Sequence, residues 1–252
     1  MIKNYKNVLV TQASPFALAE SFKTIRTNML YTGKNEKCPV FGVTSSNMDA
    51  GKSIFLANMA QSFAQLGKKV ILLDCDIRKP VQHKIFEVKN GEGMSQILAG
   101  INTDIEKAII HTHIENLDII TAGHIPPNPS ELLASENLKG MLDALKDSYD
   151  VIFMDFPPVG IVIDALVPVE LVTSYVVVVR CGKDRIQDVE ATLDLMKNSN
   201  ANIAGFVLND VNIKSSGVGR YRYGRYGRYG KYGRYSKYGY YRYSYENKEK
   251  EK

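Results

Sequence analysis

The sequence predicts an α/β fold: a mostly parallel central sheet with helices on both faces, followed by a tyrosine-rich tail. Two observations predict the sheet. Short, nearly all-apolar runs alternate with amphipathic segments from residue 40 to residue 208, the pattern of strands buried on both faces and joined by crossover helices. The apolar share of 44% allows a sizeable core up to about residue 214. A third observation sets the tail apart. After Lys214 the composition changes abruptly, and no aliphatic residue follows Val218.

The elements follow in order. Residues 14–31 read as a helix, with Pro15 suited to a first turn and Phe16, Ala19, Phe22, Ile25, Met29 and Leu30 at helical spacing. Val40 to Thr44 reads as a short strand. Ile54 to Leu66 reads as a helix ended by Gly67. Lys69 to Leu73 reads as a buried strand. Thr103-Asp104-Ile105-Glu106 has the form of a capping box opening a short helix. Leu117 to Thr121 is a strand, and Pro126 to Pro129 is a rigid turn before a helix over 131–146 with a break near Ser135. Val151–Met154, Tyr175–Val179 and Ile203–Leu208 are further strands, with a helix over 186–197 between the last two. Two domains are expected: a folded unit over 1–214 and a disordered basic tail over 215–252.

Charge follows that division. The net +5 is a tail with eleven Lys and Arg against three Asp and Glu, attached to a slightly acidic remainder. Six consecutive basic–Tyr–small triplets occupy 222–239, and eleven of the 15 tyrosines lie at or after Tyr221. Such a segment cannot build a core and is expected to be disordered. Glycine at every third place without proline does not make collagen. Cys38, Cys75 and Cys181 are far apart, which argues against a disulfide framework or a zinc site; three buried thiols are expected. The first residues have no secretory-signal pattern, and no run of about 18 uninterrupted apolar residues offers a membrane span. His111-x-His113, with His83 and His124 elsewhere, is too little for a metal site.

The chemistry lies at three strand ends. Thr44 to Ser53 joins a strand to a helix and closes on Gly51-Lys52-Ser53. Backbone N–H groups of such a loop cradle phosphate, a lysine reaches the outer phosphates, and a serine hydroxyl ligates Mg²⁺. The loop has Ser46 where the usual phosphate-loop pattern has glycine. Asp74-Cys75-Asp76-Ile77-Arg78 ends a second strand, and Asp155-Phe156-Pro157-Pro158 ends a third. Carboxylates at the C-terminal edge of parallel strands stand where open α/β sheets bind ligands. Mg²⁺ needs only one or two of them beside phosphate and Ser53. The expectation is a P-loop nucleoside triphosphatase fold that binds ATP with Mg²⁺.

These motifs together resemble the bacterial tyrosine kinases of the MinD/ParA-like superfamily, in the form whose kinase is separate from its membrane activator. Asp74-x-Asp76-x-Arg78, Asp155-Phe156-Pro157-Pro158-Val159 with Asp164-Ala165, Glu20-x-x-Lys23-x-x-Arg26 and Arg180-x-Gly182 fall in order, and a tyrosine cluster closes the chain. The resemblance implies an ATP-dependent protein-tyrosine kinase that autophosphorylates in trans and regulates capsular or extracellular polysaccharide biosynthesis. Asn47, Met48, Asp49, Ala50, Gly51, Lys52, Ser53 and Ile54 would form the nucleotide loop, with Asn209 near the adenine. Ser53, Asp74 and Asp155 would hold the metal. Lys52, Asp76 and Arg78 would be catalytic, Asp76 as the base for the tyrosine hydroxyl and Arg78 on the transferring charge. Glu20, Lys23 and Arg26 would contact the next subunit of a ring. Tyr221, Tyr223, Tyr226, Tyr229, Tyr232, Tyr235, Tyr238, Tyr240, Tyr241, Tyr243 and Tyr245 would accept phosphate. The implied partners are a membrane-embedded activator that recruits the cytoplasmic chain to the inner face of the membrane, a cognate tyrosine phosphatase, and tyrosine-bearing protein substrates.

Four positions depart from the family pattern: Met48-Asp49 replaces Pro-Gly, Lys23 replaces Arg, and Asp184 replaces Thr. The alternative is a MinD/ParA-like regulatory ATPase whose Arg-Tyr-Gly tail binds RNA or a partner. Asn47 stands where such partitioning ATPases carry an extra lysine, which disfavours it, and nucleic acid is not the expected partner.

Overall fold

The computed structural model describes Tyr5, residues 7–102 and residues 104–211. The tail, its eleven acceptor candidates, the expected boundary at residue 214 and the Thr103 end of the proposed capping box lie outside the described residues.

Seven strands form one sheet: β1 (Val40–Ser45), β2 (Val70–Asp74), β3 (Ile110–His111), β4 (Leu117–Ile120), β5 (Val151–Asp155), β6 (Ser174–Arg180) and β7 (Ile203–Asn209). Their spatial order is β3-β4-β2-β5-β1-β6-β7. Every pairing is parallel except the short β3 against β4. The sheet class and its strands are as the sequence predicts. The two-residue β3 was not foreseen, because two residues carry no period.

The helices are α1 (Phe16–Thr32), α2 (Lys52–Ala64), α3 (Gln82–Ile85), α4 (Met94–Leu98), α5 (Ile105–Ala108), α6 (Pro129–Leu133), α7 (Glu136–Lys146) and α8 (Ile186–Asn198). Pro15 caps α1 rather than opening its first turn. The expected helix over 131–146 is α6 and α7, separated at Ser135. α3 and α4 are single turns too short for a periodic signal.

Side-chain alternation along the strands divides the core into two layers. Ile71, Leu73, Ile152, Met154, Tyr175 and Val177 face the side covered by α4, α6, α7 and α8. Phe41, Val43, Val70, Leu72, Val151, Phe153, Val176 and Val178 face α2, against which α1 packs. Phe41, Phe63 and Phe153 close that second layer. Phe41 and Phe153 stack at 5.8 Å, and Phe63 meets Phe153 edge-on at 5.2 Å, arrangements that add roughly 0.5–1.5 kcal/mol per pair beyond area burial. Gly42 in β1 lets the Tyr175 ring lie on the backbone, for a Cβ there would sit 2.7 Å from it.

α2 has only two residues that are not buried, Lys52 and Ile54. It is therefore a core helix whose first turn opens on the site edge. Cys38 and Cys75 are buried, and burial pushes the Cys38 thiol up to about 11. Cys181 is exposed, a correction to the expectation of three buried thiols: it follows β6 in a surface turn. Among the described residues no helix is long and apolar enough to cross a membrane.

Candidate nucleotide and metal site

β1, β2 and β5 are neighbours around the centre of the sheet, so their C-terminal ends converge. The register pairs Asp74 directly with Asp155, placing two carboxylates on adjacent strands that lie roughly 4.8 Å apart. Neither has exposed surface. Burial, then Asp155 and Asp76, drives the Asp74 carboxyl well above the usual carboxylate range. Burial raises Asp155 as well, although Lys52 opposes the shift.

The loop after β1 is held from several sides. The Ser45 hydroxyl donates to the Asn47 carbonyl at 2.7 Å. The Asn47 amide donates to Asp184 Oδ1 at 3.1 Å and Asp188 Oδ2 at 3.4 Å. Asp184 Oδ2 also accepts from the Arg180 backbone at 2.7 Å, so the aspartate that departs from the family pattern fastens the end of β6 to the loop. Thr44 Oγ1 donates to the Pro157 carbonyl at 2.7 Å and accepts from the Val159 N–H at 3.1 Å. Asn209 Nδ2 donates to the Ala50 carbonyl at 2.8 Å. It is thus a support of the loop at the end of β7. Gly51 has φ +91°, and a Cβ there would overlap the Asn209 amide. Asp49 sits at φ +60° with its side chain exposed.

Lys52 opens α2. Its Nζ lies 2.9 Å from Asp76 Oδ2, 3.2 Å from Ser53 Oγ and 3.7 Å from Asp155 Oδ1. Burial alone would lower this lysine, but Asp155 and Asp76 outweigh it and hold the ammonium above the ordinary range. Asp76 Oδ1 accepts from the Lys79 N–H at 3.0 Å. Lys52, Ser53, Asp74, Asp76 and Asp155 are therefore brought to one place.

Gln82, at the start of α3, was missed by the sequence reading. Its backbone N–H donates to Asp74 Oδ2 at 3.1 Å, and its Nε2 donates to Asp155 Oδ2 at 2.8 Å and the Ser53 carbonyl at 3.1 Å. A lone glutamine in a short turn with His83 and Lys84 beside it gives no signal until the fold buries it.

Arg78 is anchored by the turn after β5. Its Nε and Nη2 form a fork on Asp164 at 2.7 Å and 3.0 Å, and Nη2 also reaches Ser130 Oγ at 3.2 Å. Asp164 is buried, so this pair fastens the turn after β5 to the strand-end loop of β2. On α1, Glu20 pairs with Lys23 at 2.7 Å. Arg26 donates to the Ser62 carbonyl at 2.7 Å and hydroxyl at 3.1 Å, contacts within its own chain. Ile54 packs against the α2-side core, and Met48 is exposed.

The donor set fits Mg²⁺. Asp74 Oδ1 and Asp155 Oδ1 are buried acceptors without a hydrogen-bond partner, and the Ser53 hydroxyl lies 3.2 Å from the Lys52 ammonium, itself 3.7 Å from Asp155 Oδ1. Among the described residues no three of His, Cys, Asp and Glu gather as a self-contained metal cage.

A family model described as AAA domain matches residues 45–204. The tyrosine-protein kinase CpsD of Streptococcus agalactiae is 34% identical over 82% of this chain and 90% of its own length. The longer tyrosine-protein kinase wzc of Salmonella typhi is 32% identical over 88% of this chain, and the match covers 31% of its length. The kinase domain of the Escherichia coli tyrosine kinase ETK superposes with TM-score 0.76 at 29% identity, covering 86% of each chain.

Proposed function

The chain belongs to the bacterial tyrosine-protein kinase family, and from that premise we propose that it transfers the γ-phosphoryl group of ATP to tyrosine, including the tyrosines of its own tail. The observation that carries the reading is the convergence of Lys52, Ser53, Asp74, Asp76 and Asp155 at the C-terminal edge of three adjacent strands. ATP lies with its phosphates over the loop 47–54, whose N–H groups and α2 start attract the anion. Lys52 moves onto the outer phosphates. Asp74, Asp155 and Ser53 would hold Mg²⁺, which would neutralise charge on the phosphates.

The tyrosine hydroxyl oxygen attacks the γ-phosphorus. The bond to the bridging oxygen breaks, ADP leaves with that electron pair, and Asp76 accepts the hydroxyl proton. Little covalent chemistry is asked of the protein; positioning and charge dominate. Arg78 acts on the developing charge through Nη1, which lies outside its fork on Asp164, and Asn209 supports the loop on the adenine side.

Each tail is phosphorylated by a neighbouring copy in a ring, with the Glu20–Lys23–Arg26 helix at the contact and a tyrosine phosphatase to reset it. Phosphorylation adds about −1.5 to −2 per residue and turns the tail from +8 to about −10, which loosens the ring. The matching segment fills 90% of CpsD but 31% of wzc. That difference supports a kinase unit that works with further protein, here a separate membrane-embedded activator. Regulation of capsular or extracellular polysaccharide production follows from the family. The domains are the kinase over 1–214 and the acceptor tail over 215–252.

A mixing experiment tests transfer in trans. A chain ending at residue 214 is incubated with labelled Mg-ATP, a full-length Lys52→Met chain and an activator fragment. Label on the Lys52→Met chain is expected. Label confined to reactions in which one chain holds both an intact Lys52 and the tail would contradict it.

A further inference from the structure

The buried amide of Gln82 joins every element that would hold the metal. It has no exposed surface. Its two side-chain N–H groups point at Asp155 Oδ2, 2.8 Å away at the end of β5, and at the Ser53 carbonyl, 3.1 Å away in the first turn of α2. Its backbone N–H binds Asp74 Oδ2 at the end of β2. The amide orientation follows from its neighbours. Turned over, it would set its oxygen against a carboxylate and a carbonyl, two acceptors with no proton between them.

The consequence falls on the other oxygens. Gln82 occupies Oδ2 of both aspartates and leaves Oδ1 of both without a hydrogen-bond partner, although buried. Its own Oε1 is also a buried acceptor with no partner. Buried acceptors without hydrogen-bond partners are costly; Asp155 Oδ1 has only the Lys52 ammonium at 3.7 Å, and oxygens on three residues linked through Gln82 suit a hydrated cation. Water on a metal donates hydrogen bonds, and Oε1 can receive one.

We infer that Gln82 is a positioning residue for the divalent cation: it turns Asp74 and Asp155 so that one oxygen of each faces the metal, and it ties that pair to the turn carrying Ser53. The inference rests on the Mg-nucleotide reading above. It assigns a role to a residue outside the three motifs that define the site. Groups that orient metal-ligating side chains typically affect metal affinity by about 10- to 100-fold.

The test uses the full chain and a fluorescent N-methylanthraniloyl-ADP, titrated once in EDTA and once across a Mg²⁺ series. The variants are Gln82→Met, close in volume and without donors, and Gln82→Asn, which keeps the donors on a stem too short to reach both acceptors. The wild type binds the nucleotide more tightly as Mg²⁺ is added. In the variants the EDTA affinity stays within about twofold, while the Mg²⁺ concentration for half-maximal tightening rises about tenfold or more. With Mn²⁺ in place of Mg²⁺, the spin-resonance spectrum of the protein–nucleotide complex changes in the variants. Circular dichroism identifies which variant is folded, and Gln82→Asn carries the test if Gln82→Met does not fold. A folded variant with the wild-type Mg²⁺ dependence overturns the inference. So does an equal loss of affinity with and without metal, which marks a structural role alone. A wild type that ignores Mg²⁺ removes the Mg-nucleotide reading itself, and this inference with it.

Discussion

Asp49 gives a prediction with two readouts that one substitution series separates. The residue sits in the phosphate loop at φ +60° with an exposed side chain. A left-handed backbone costs an ordinary L-residue roughly 1–2 kcal/mol, while Asp and Asn tolerate it through local hydrogen bonding. Asp49→Ala keeps the Cβ and loses that tolerance, so it destabilises by about 1 kcal/mol. In a chain of this size that lowers Tm by about 2–4 °C. Asp49→Asn leaves Tm where it is. Asp49→Gly removes the strain but frees the unfolded chain by about 0.4–1 kcal/mol, so it too stays near wild type.

Charge acts separately. The carboxylate opposes the phosphates through water-like surroundings. At about 8–10 Å, Coulomb's law with the dielectric constant of water gives ~0.4–0.5 kcal/mol per unit charge. For about two net charges on Mg-ATP, Asn, Gly and Ala should all tighten nucleotide binding about fivefold, and the gain should vanish near 1 M salt. Differential scanning fluorimetry gives Tm, and titration with a fluorescent ATP analogue gives affinity. The reasoning is refuted if Asp49→Ala melts with Asp49→Asn, or if the affinity gain persists at high salt.

Three further outcomes are expected. Asp74→Asn should stabilise the metal-free protein at pH 7 by about 1 kcal/mol. Burial raises the folded carboxyl above its unfolded value, so its favourable contribution exists at low pH and is lost as pH rises through the folded value; the neutral amide removes that loss. The same variant should lose the extra stabilisation by Mg²⁺ with nucleotide, and denaturant melts at pH 5 and 7 with and without Mg-ADP check both. Arg78→Ala should cost about 1–2 kcal/mol in the same melts, because it leaves buried Asp164 without its cation, a loss moderated by the 38% exposure of the Arg78 side chain and by the Ser130 hydroxyl that still donates to Asp164; Asp164→Asn in the Arg78→Ala background should recover part of that loss. Lys52→Met should abolish the thermal shift given by saturating Mg-ATP, about 2.7 kcal/mol at a hundredfold excess over Kd in the wild type.

The sheet was legible because strands covered on both faces must be apolar throughout, as Val70–Asp74 and Ser174–Arg180 are. The three strand-end motifs were legible because phosphate and metal chemistry fixes residue type at fixed places in a chain segment. Gln82 was not. Its role comes from a backbone N–H meeting Asp74 and a side-chain amide meeting Asp155, 73 residues away, and no local pattern encodes that distance. The engagement of Arg78 by Asp164 and Ser130 likewise depends on the path of the turn after β5 and on the placement of α6. Short elements such as α3, α4 and β3 escaped because they complete no period. Cys181 was misjudged because a cysteine's burial is set by its element's position, and a surface turn after β6 leaves it open.

Peptide mass spectrometry of the full chain after incubation with Mg-ATP and an activator fragment tests the central claim most directly, beside Lys52→Met and a phosphatase-treated control. Phosphate is expected on tyrosines within Tyr221–Tyr245 and is expected to be absent from Lys52→Met. Measurable ATP binding with no tyrosine phosphate, activator present, would contradict it.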